Sequence, residues 1–379
     1  MTEKENSRQS EFFAKWEFCP RCGTKIPKTE KIIRYCFSCG LEFEKYPYII
    51  EKAFPPSVSY KLTEEELDRD REAAPWSTRA SLGWPILSIF IMNSVAVIPL
   101  MFIVFLIPDL TKLMDLISSP MFLIIFSVTE FVFLIVPLFY VGKYLNRSTL
   151  KNRLKVLGIY IEKPHNFFII KELLLGIGFA IIGFFMVNLI SALLEFLFAS
   201  LFIPSSFFSA QTPSVDMDSI ISLAGPVELV LLVIVMIGVI GLSEEVAFRG
   251  FMQKGLVKNH GKGYGIWITA IIFALIHVVT IFLSVSPLSI LISFLILFPP
   301  YLFLSLLLGY LFYWRNSNLI APIIAHGVYN AITVILVFII YQSFAFLIPF
   351  FLILAALCGI SFCSYFLLNR YSKAGKDLV

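Results

Sequence analysis

Three short patterns gather residue types able to activate water. Glu244-Glu245-Val-Ala-Phe-Arg249 sets two adjacent carboxylates just ahead of a guanidinium. Phe273 and His277 are four residues apart, as are His326 and Asn330. On a helix, positions four apart share a face. Glu245 can therefore pair with Arg249, while Glu244 points about 100° away. Pairing lowers the cost of holding two neighbouring carboxylates in a half-dry site. It leaves Glu244 free, where desolvation makes a carboxylate a better base. A carboxylate, two imidazoles and an amide around a wet pocket suit hydrolysis of an amide. The Glu takes a proton from water, with or without a metal on His277 and His326, and the Asn or a His donates to the oxyanion. Each pattern alone also has a plainer reading: a buried ion pair fixing helix packing for Glu244–Arg249, and interhelical hydrogen bonds for His277, His326 and Asn330. Phe273 alone reads as packing.

The elements that must carry these residues are membrane helices. The chain of 379 residues is 58% hydrophobic and 15% charged, against the quarter charged of soluble domains. Its apolar residues concentrate after Trp84 in stretches long enough to cross a bilayer. Taking about 20 apolar residues per span, we expect about eight helices at roughly 84–107, 120–142, 172–203, 219–243, 264–285, 287–313, 318–341 and 345–369. Pro299 and Pro300 predict a kink or break in the sixth. Counted from the expected cytosolic ends, His277 lies about 18 Å deep and His326 about 12 Å deep at 1.5 Å per residue. Glu244 falls at the end of the fourth span, so that helix must extend or tilt inward to reach them. Ionisable residues inside spans are functional candidates by default. Glu130, Glu195 and Glu228 also qualify, with no evident partner; His165 and His260 fall in basic loops.

Charge sets the expected orientation. Lys143, Arg147, Lys151, Arg153, Lys155, Lys163 and Lys171 follow the second span, and Arg249, Lys254, Lys258 and Lys262 follow the fourth. Arg315 follows the sixth, and Arg370, Lys373 and Lys376 the eighth. The opposite loops are nearly bare, with Lys112 alone between 108 and 119. Positive-inside counting places both termini in the cytosol, in the plasma membrane for a prokaryotic chain. No secretory signal peptide is visible in the polar first 80 residues. The net charge of +4 gives no reason to expect a nucleic-acid partner. The partners implied are the lipid bilayer and a membrane-associated peptide or protein substrate. A transporter built on the same carboxylates would show paired repeats, and none is evident.

Ahead of the spans, Cys19, Cys22, Cys36 and Cys39 stand as C-x2-C-x13-C-x2-C, with a Gly after each pair. Two residues between thiolates let a tight turn present both sulfurs to one tetrahedral ion, and four thiolates close the shell, so the expected zinc is structural. A reducing compartment favours metal over disulfide, and so short a segment cannot fold on apolar burial alone. The expected organisation is a polar tail at 1–16, a zinc ribbon at 17–46 with a partner the sequence does not name, a polar linker at 47–83, a helical bundle at 84–370 and a tail at 371–379.

Taken together, SEEVAFRG, FALIH and HGVYN resemble, in order and in placement on helices, the EExxxR, FxxxH and HxxxN signatures of the CAAX-protease and bacteriocin-processing intramembrane proteases. GYLFYWRNSNLIAPIIAHGVYN is especially similar to that family, and the resemblance covers about 165–345. It implies an all-helical bundle of about eight spans and an endopeptidase, eukaryotic members of which remove the last three residues of prenylated proteins. It assigns Glu244 as the water-activating base, helped by Glu245 and Arg249, with His277, His326 and Asn330 binding water, metal or oxyanion. Whether zinc sits at the active site stays open in the resemblance. The alternative is a non-catalytic membrane binder of the bacteriocin-immunity type.

Overall fold

The computed structural model describes residues 74, 76–107, 109–145, 149–161, 167–200, 217–279 and 287–374. The chain divides into units 1–63 and 64–379, and everything described belongs to the second. The tail, the four cysteines of the expected ribbon, nearly all of the linker and His165 lie outside the described residues.

All described elements are helical. They are α1 Thr78–Leu106, α2 Leu110–Ile117, α3 Pro120–Tyr144, α4 Leu150–Val156, α5 Phe168–Ser200, α6 Met217–Ser222, α7 Pro226–His260, α8 Lys262–Val278, α9 Pro287–Trp314, α10 Ile320–Gln342 and α11 Leu347–Ala374. Local sequence explains several starts. Ser77 Oγ accepts from Ala80 N at 3.2 Å to cap α1. Ser119 does the same for Phe122 at the head of α3, where Pro120 occupies the first turn and loses no bond by lacking an N–H. Pro226 opens α7, and Glu228 reaches back to accept from Gly225 N at 2.7 Å. That gives Glu228 the partner its sequence context did not reveal.

Among the described residues, seven helices are long and apolar enough to cross a membrane: α1, α3, α5, α7, α9, α10 and α11. Their outer faces are apolar as a bilayer requires, with Phe105 84% and Phe196 75% exposed. The expected eighth span is the element that differs. α8 has 17 residues and ends at Val278, which at 1.5 Å per residue covers about 25 Å of a hydrocarbon core of about 30 Å. Two further expectations are corrected. α9 continues as one helix through Pro299 and Pro300, so the break expected there does not occur. α7 does not end near 243 but continues to His260, so Arg249 and Lys254 are buried helix residues rather than loop charges. Lys254 Nζ donates to Val156 O at 2.6 Å.

α7 is the central element, in contact with α1, α3, α8, α9 and α10. Its tightest neighbour is α10. A Cβ on Gly327 would come within 2.6 Å of Ile237 Cα, and one on Gly241 within 2.8 Å of Gly327 Cα. Only hydrogen at both positions lets the two backbones meet, as small residues do in membrane bundles generally. Around this pair, Trp76 stacks on Phe251 of α7 at 4.6 Å and donates from Nε1 to Phe251 O at 3.1 Å. On the far side of α10, Arg315 pairs with buried Glu172 of α5. Because the obstacle at Gly327 is main chain, Gly327→Ala must push α7 and α10 apart. We expect it to destabilise the bundle by about 1–3 kcal/mol, read as a lowered melting temperature in detergent, whereas Gly359→Ala, with open space around it, should leave melting unchanged.

Candidate active site

The carboxylate pair sits near the middle of α7, where the winding changes twice. Met236–Gly241 and Val246–Gln253 are π-helical, with a short α-helical stretch, Leu242–Glu245, between them. π-Turns are rare and recur at functional sites. Glu244 and Glu245 are both buried here, at 7% and 0% exposure, beside Arg249 at 0%.

The two carboxylates have different surroundings. Arg249 Nη1 donates to Glu245 Oε1 at 2.6 Å, and Nη2 donates to Ser305 of α9, at 2.8 Å to Oγ and 3.2 Å to the carbonyl. The guanidinium also lies 4.5 Å from the Phe273 ring centroid, a cation–π contact. Glu245 Oε1 is shared with His326 Nδ1 at 2.9 Å. Glu244 Oε2 is 3.6 Å from His326 Nε2, too far for a hydrogen bond, and has no hydrogen-bond partner.

A carboxylate paired with Arg249 can only accept, so Nδ1 of His326 carries a hydrogen and donates to Glu245, and Nε2 faces Glu244. His277 Nδ1 is 2.8 Å from Phe273 O, which also only accepts, so it too carries a hydrogen. The His277 ring is held between Phe273 at 4.3 Å and Tyr301 at 4.9 Å. Phe273 touches His326 edge-on at 5.8 Å. It is thus the shared wall of both histidines and of Arg249. Tyr301 and Glu130 are both near enough to Glu244 to feel its charge.

The structure therefore gathers Glu244, Glu245, Arg249 and His326 into one contact set and joins His277 to it through Phe273. Asn330 is half-buried one turn beyond His326, outside the hydrogen-bonded set. Ser305 and Tyr301 had no signal in the sequence, since a Ser and a Tyr in a long apolar helix match no spacing. Glu195 is exposed on α5, and His260 is exposed with Nε2 2.8 Å from Thr78 Oγ1.

The buried side-chain polar atoms without a hydrogen-bond partner among the described residues concentrate here. They are Glu130 Oε2, Ser243 Oγ, Glu244 Oε2, Glu245 Oε2, Arg249 Nε and Thr269 Oγ1. Ser243 to Arg249 lie on one stretch of α7, Thr269 is on α8 against it, and Glu130 is near enough to Glu244 to feel its charge. Such atoms are normally satisfied by water, so the cluster marks a hydrated point inside the bundle. An Nε2 lone pair backed by a held Nδ1–H would also suit a metal ligand. No group of three or more His, Cys, Asp or Glu among the described residues is arranged so as to hold an ion.

Residues 226–332 match the family described as Type II CAAX prenyl endopeptidase Rce1-like. The Rce1-like segment covers less than half of the chain but takes in all three motifs, from Glu244 to Asn330. No curated protein and no solved structure matches the chain.

The geometry within the Rce1-like segment has a direct energetic consequence. Replacing Arg249 by Met strands Glu245 as an uncompensated buried charge, which costs about 3–5 kcal/mol. The Glu245→Gln/Arg249→Met double variant should recover much of that loss, measured as a double-mutant cycle by unfolding in detergent.

Proposed function

We propose that the chain is an intramembrane endopeptidase that hydrolyses a peptide bond of a membrane-associated protein or peptide, with Glu244 as base. The observation that carries this is the contrast between the carboxylates. Glu245 accepts from Arg249 and His326 through Oε1, while Glu244 accepts from no described group and keeps a buried, unpartnered oxygen beside His326 Nε2. The match of 226–332 to the Rce1-like family supports the same reaction class.

Glu244 takes a proton from water, and the resulting hydroxide adds to the scissile carbonyl carbon. The C–N bond then breaks, and the proton held by Glu244 passes to the leaving amine, so carboxylate and charge are restored. Glu245 and Arg249 hold His326 by its Nδ1–H, which presents Nε2 towards Glu244. The Asn330 amide or a histidine N–H donates to the oxyanion. Water in a low-dielectric cavity gains most from fixed groups of this kind.

Glu244→Gln keeps size and polarity but removes the base. With the full chain in detergent or nanodiscs and a panel of quenched fluorescent peptides, with and without a lipid anchor, we expect turnover to fall by about 10²-fold or more. Melting temperature should be unchanged; cleavage at the parent rate would defeat the mechanism. The four thiols at 19, 22, 36 and 39 are proposed to hold one structural zinc. Metal analysis of the full chain should give one zinc per chain, lost in Cys19→Ser/Cys22→Ser; a second equivalent retained in that variant would put an ion among the histidines instead.

A further inference from the structure

α7, α8 and α9 pack in a register that brings one more polar side chain to the level of the carboxylates. Arg249 Nη2 meets Ser305 Oγ of α9 at 2.8 Å, and Gln253 Nε2 donates to Gly309 O at 3.0 Å. Both contacts join residues 56 apart in sequence, so α7 and α9 run parallel. On α8 the order is reversed. A Cβ on Gly265 would lie 2.5 Å from Val257 N, and the Phe273 ring centroid is 4.5 Å from the Arg249 guanidinium carbon. One turn from Arg249 back to Glu245 therefore leads to Tyr301 on α9 and to His277 on α8. Their rings do meet there, with centroids 4.9 Å apart and planes at 30°. His326 of α10 reaches the same level through Glu245 Oε1. Tyr301 is thus the contribution of α9 to a layer in which the other three helices place their candidate groups.

The Tyr301 ring has a plain use as the second wall of His277. Its hydroxyl does not share that use. A phenylalanine would stack equally well, and α9 already carries Phe294, Phe298, Phe303 and Phe312. A hydroxyl taken out of water costs free energy unless it finds a hydrogen bond. None of the described residues hydrogen-bonds that of Tyr301. Tyr301 shares a face of α9 with Ser305, which meets Arg249. It is also near enough to Glu244 to feel its charge.

Hydrolysis at this layer needs donors more than acceptors. When water adds to a peptide carbonyl, the carbonyl oxygen becomes an anion. Ionised Glu244 cannot donate to it. His326 and His277 have each committed Nδ1–H, to Glu245 and to Phe273 O. Either ring serves the anion only after taking a second proton on Nε2. A phenol ordinarily titrates near about pH 10, so it holds its proton and donates at neutral pH. We propose that the Tyr301 hydroxyl donates a hydrogen bond to the oxyanion of the tetrahedral intermediate. The phenol keeps its proton throughout, so the proton taken by Glu244 still passes to the leaving amine and the step balances as before. This assignment rests on the hydrolytic reading of Glu244.

The test uses the full chain and the fluorogenic peptide that it cleaves, with Tyr301→Phe, Tyr301→Leu and Glu244→Gln measured side by side. Tyr301→Phe keeps the stack on His277 and removes only the donor. Its kcat should fall by about 10²-fold, with KM within about twofold of the parent. Inhibition by a phosphinate peptide, whose anionic tetrahedral centre mimics the intermediate, should weaken by a similar factor. Parent kcat in Tyr301→Phe, or a loss of kcat without weaker phosphinate binding, overturns the proposal. Parent activity in Tyr301→Phe beside loss in Tyr301→Leu makes Tyr301 a wall for His277 and nothing more. If Tyr301→Phe melts lower or does not fold, a structure of the parent with the phosphinate bound decides. Tyr301 Oη within about 3.2 Å of an anionic oxygen supports the assignment, and a longer separation overturns it. Cleavage by Glu244→Gln at the parent rate would remove the hydrolytic reading and this role with it. A dead Glu244→Gln beside an undiminished Tyr301→Phe removes the role of Tyr301 alone.

Discussion

The bundle is organised around one buried cation. Arg249 is fully buried, and groups from three helices compensate its charge. Glu245 supplies the charge, Ser305 two oxygens and Phe273 a π-face. Since these belong to α7, α8 and α9, satisfying the guanidinium ties three helices together. Glu245 then passes the constraint to α10 through His326. A group that would be prohibitive alone in a low dielectric becomes the joint on which the helices are fixed. Glu244, one residue from the joint, inherits its rigidity without being consumed by it.

Under the proposed mechanism, this division is what keeps a carboxylate reactive in an apolar interior. Rigidity and reactivity are assigned to adjacent residues, so the strong interactions do not quench the group left open. Glu244 and Glu245 share the α-helical stretch Leu242–Glu245, so their side chains leave the helix about 100° apart. Here both address the same imidazole, one at each nitrogen.

Much of the site could be seen in the chain itself, for physical reasons. Charged and imidazole side chains are rare in spans, so Glu244, Glu245, Arg249, His277 and His326 stood out against an apolar background. Their four-residue spacings also carried the right faces. What stayed hidden was of two kinds. Ser305 and Tyr301 act through tertiary contact, and no spacing announces a hydroxyl or ring that meets a partner on another helix. The length of α7 was misjudged because Arg249, Lys254 and Lys258 look like the edge of a membrane. Two of these cations prove to be buried and hydrogen-bonded, so hydropathy ended a helix that continues to His260. Glu130 was conspicuous in sequence but mute, since its neighbour is more than a hundred residues away.

The contact at Gly241 and Gly327 also bears on how a lipid-borne chain could reach Glu244. Where two backbones touch with no side chain between them, there is no crevice for an acyl tail or an extended peptide to part, and opening one would break the seam that carries His326. Lateral admission from the bilayer between α7 and α10 is therefore closed. Under the proposed hydrolysis, a scissile bond would have to arrive past the other neighbours of α7, which are α1, α3, α8 and α9.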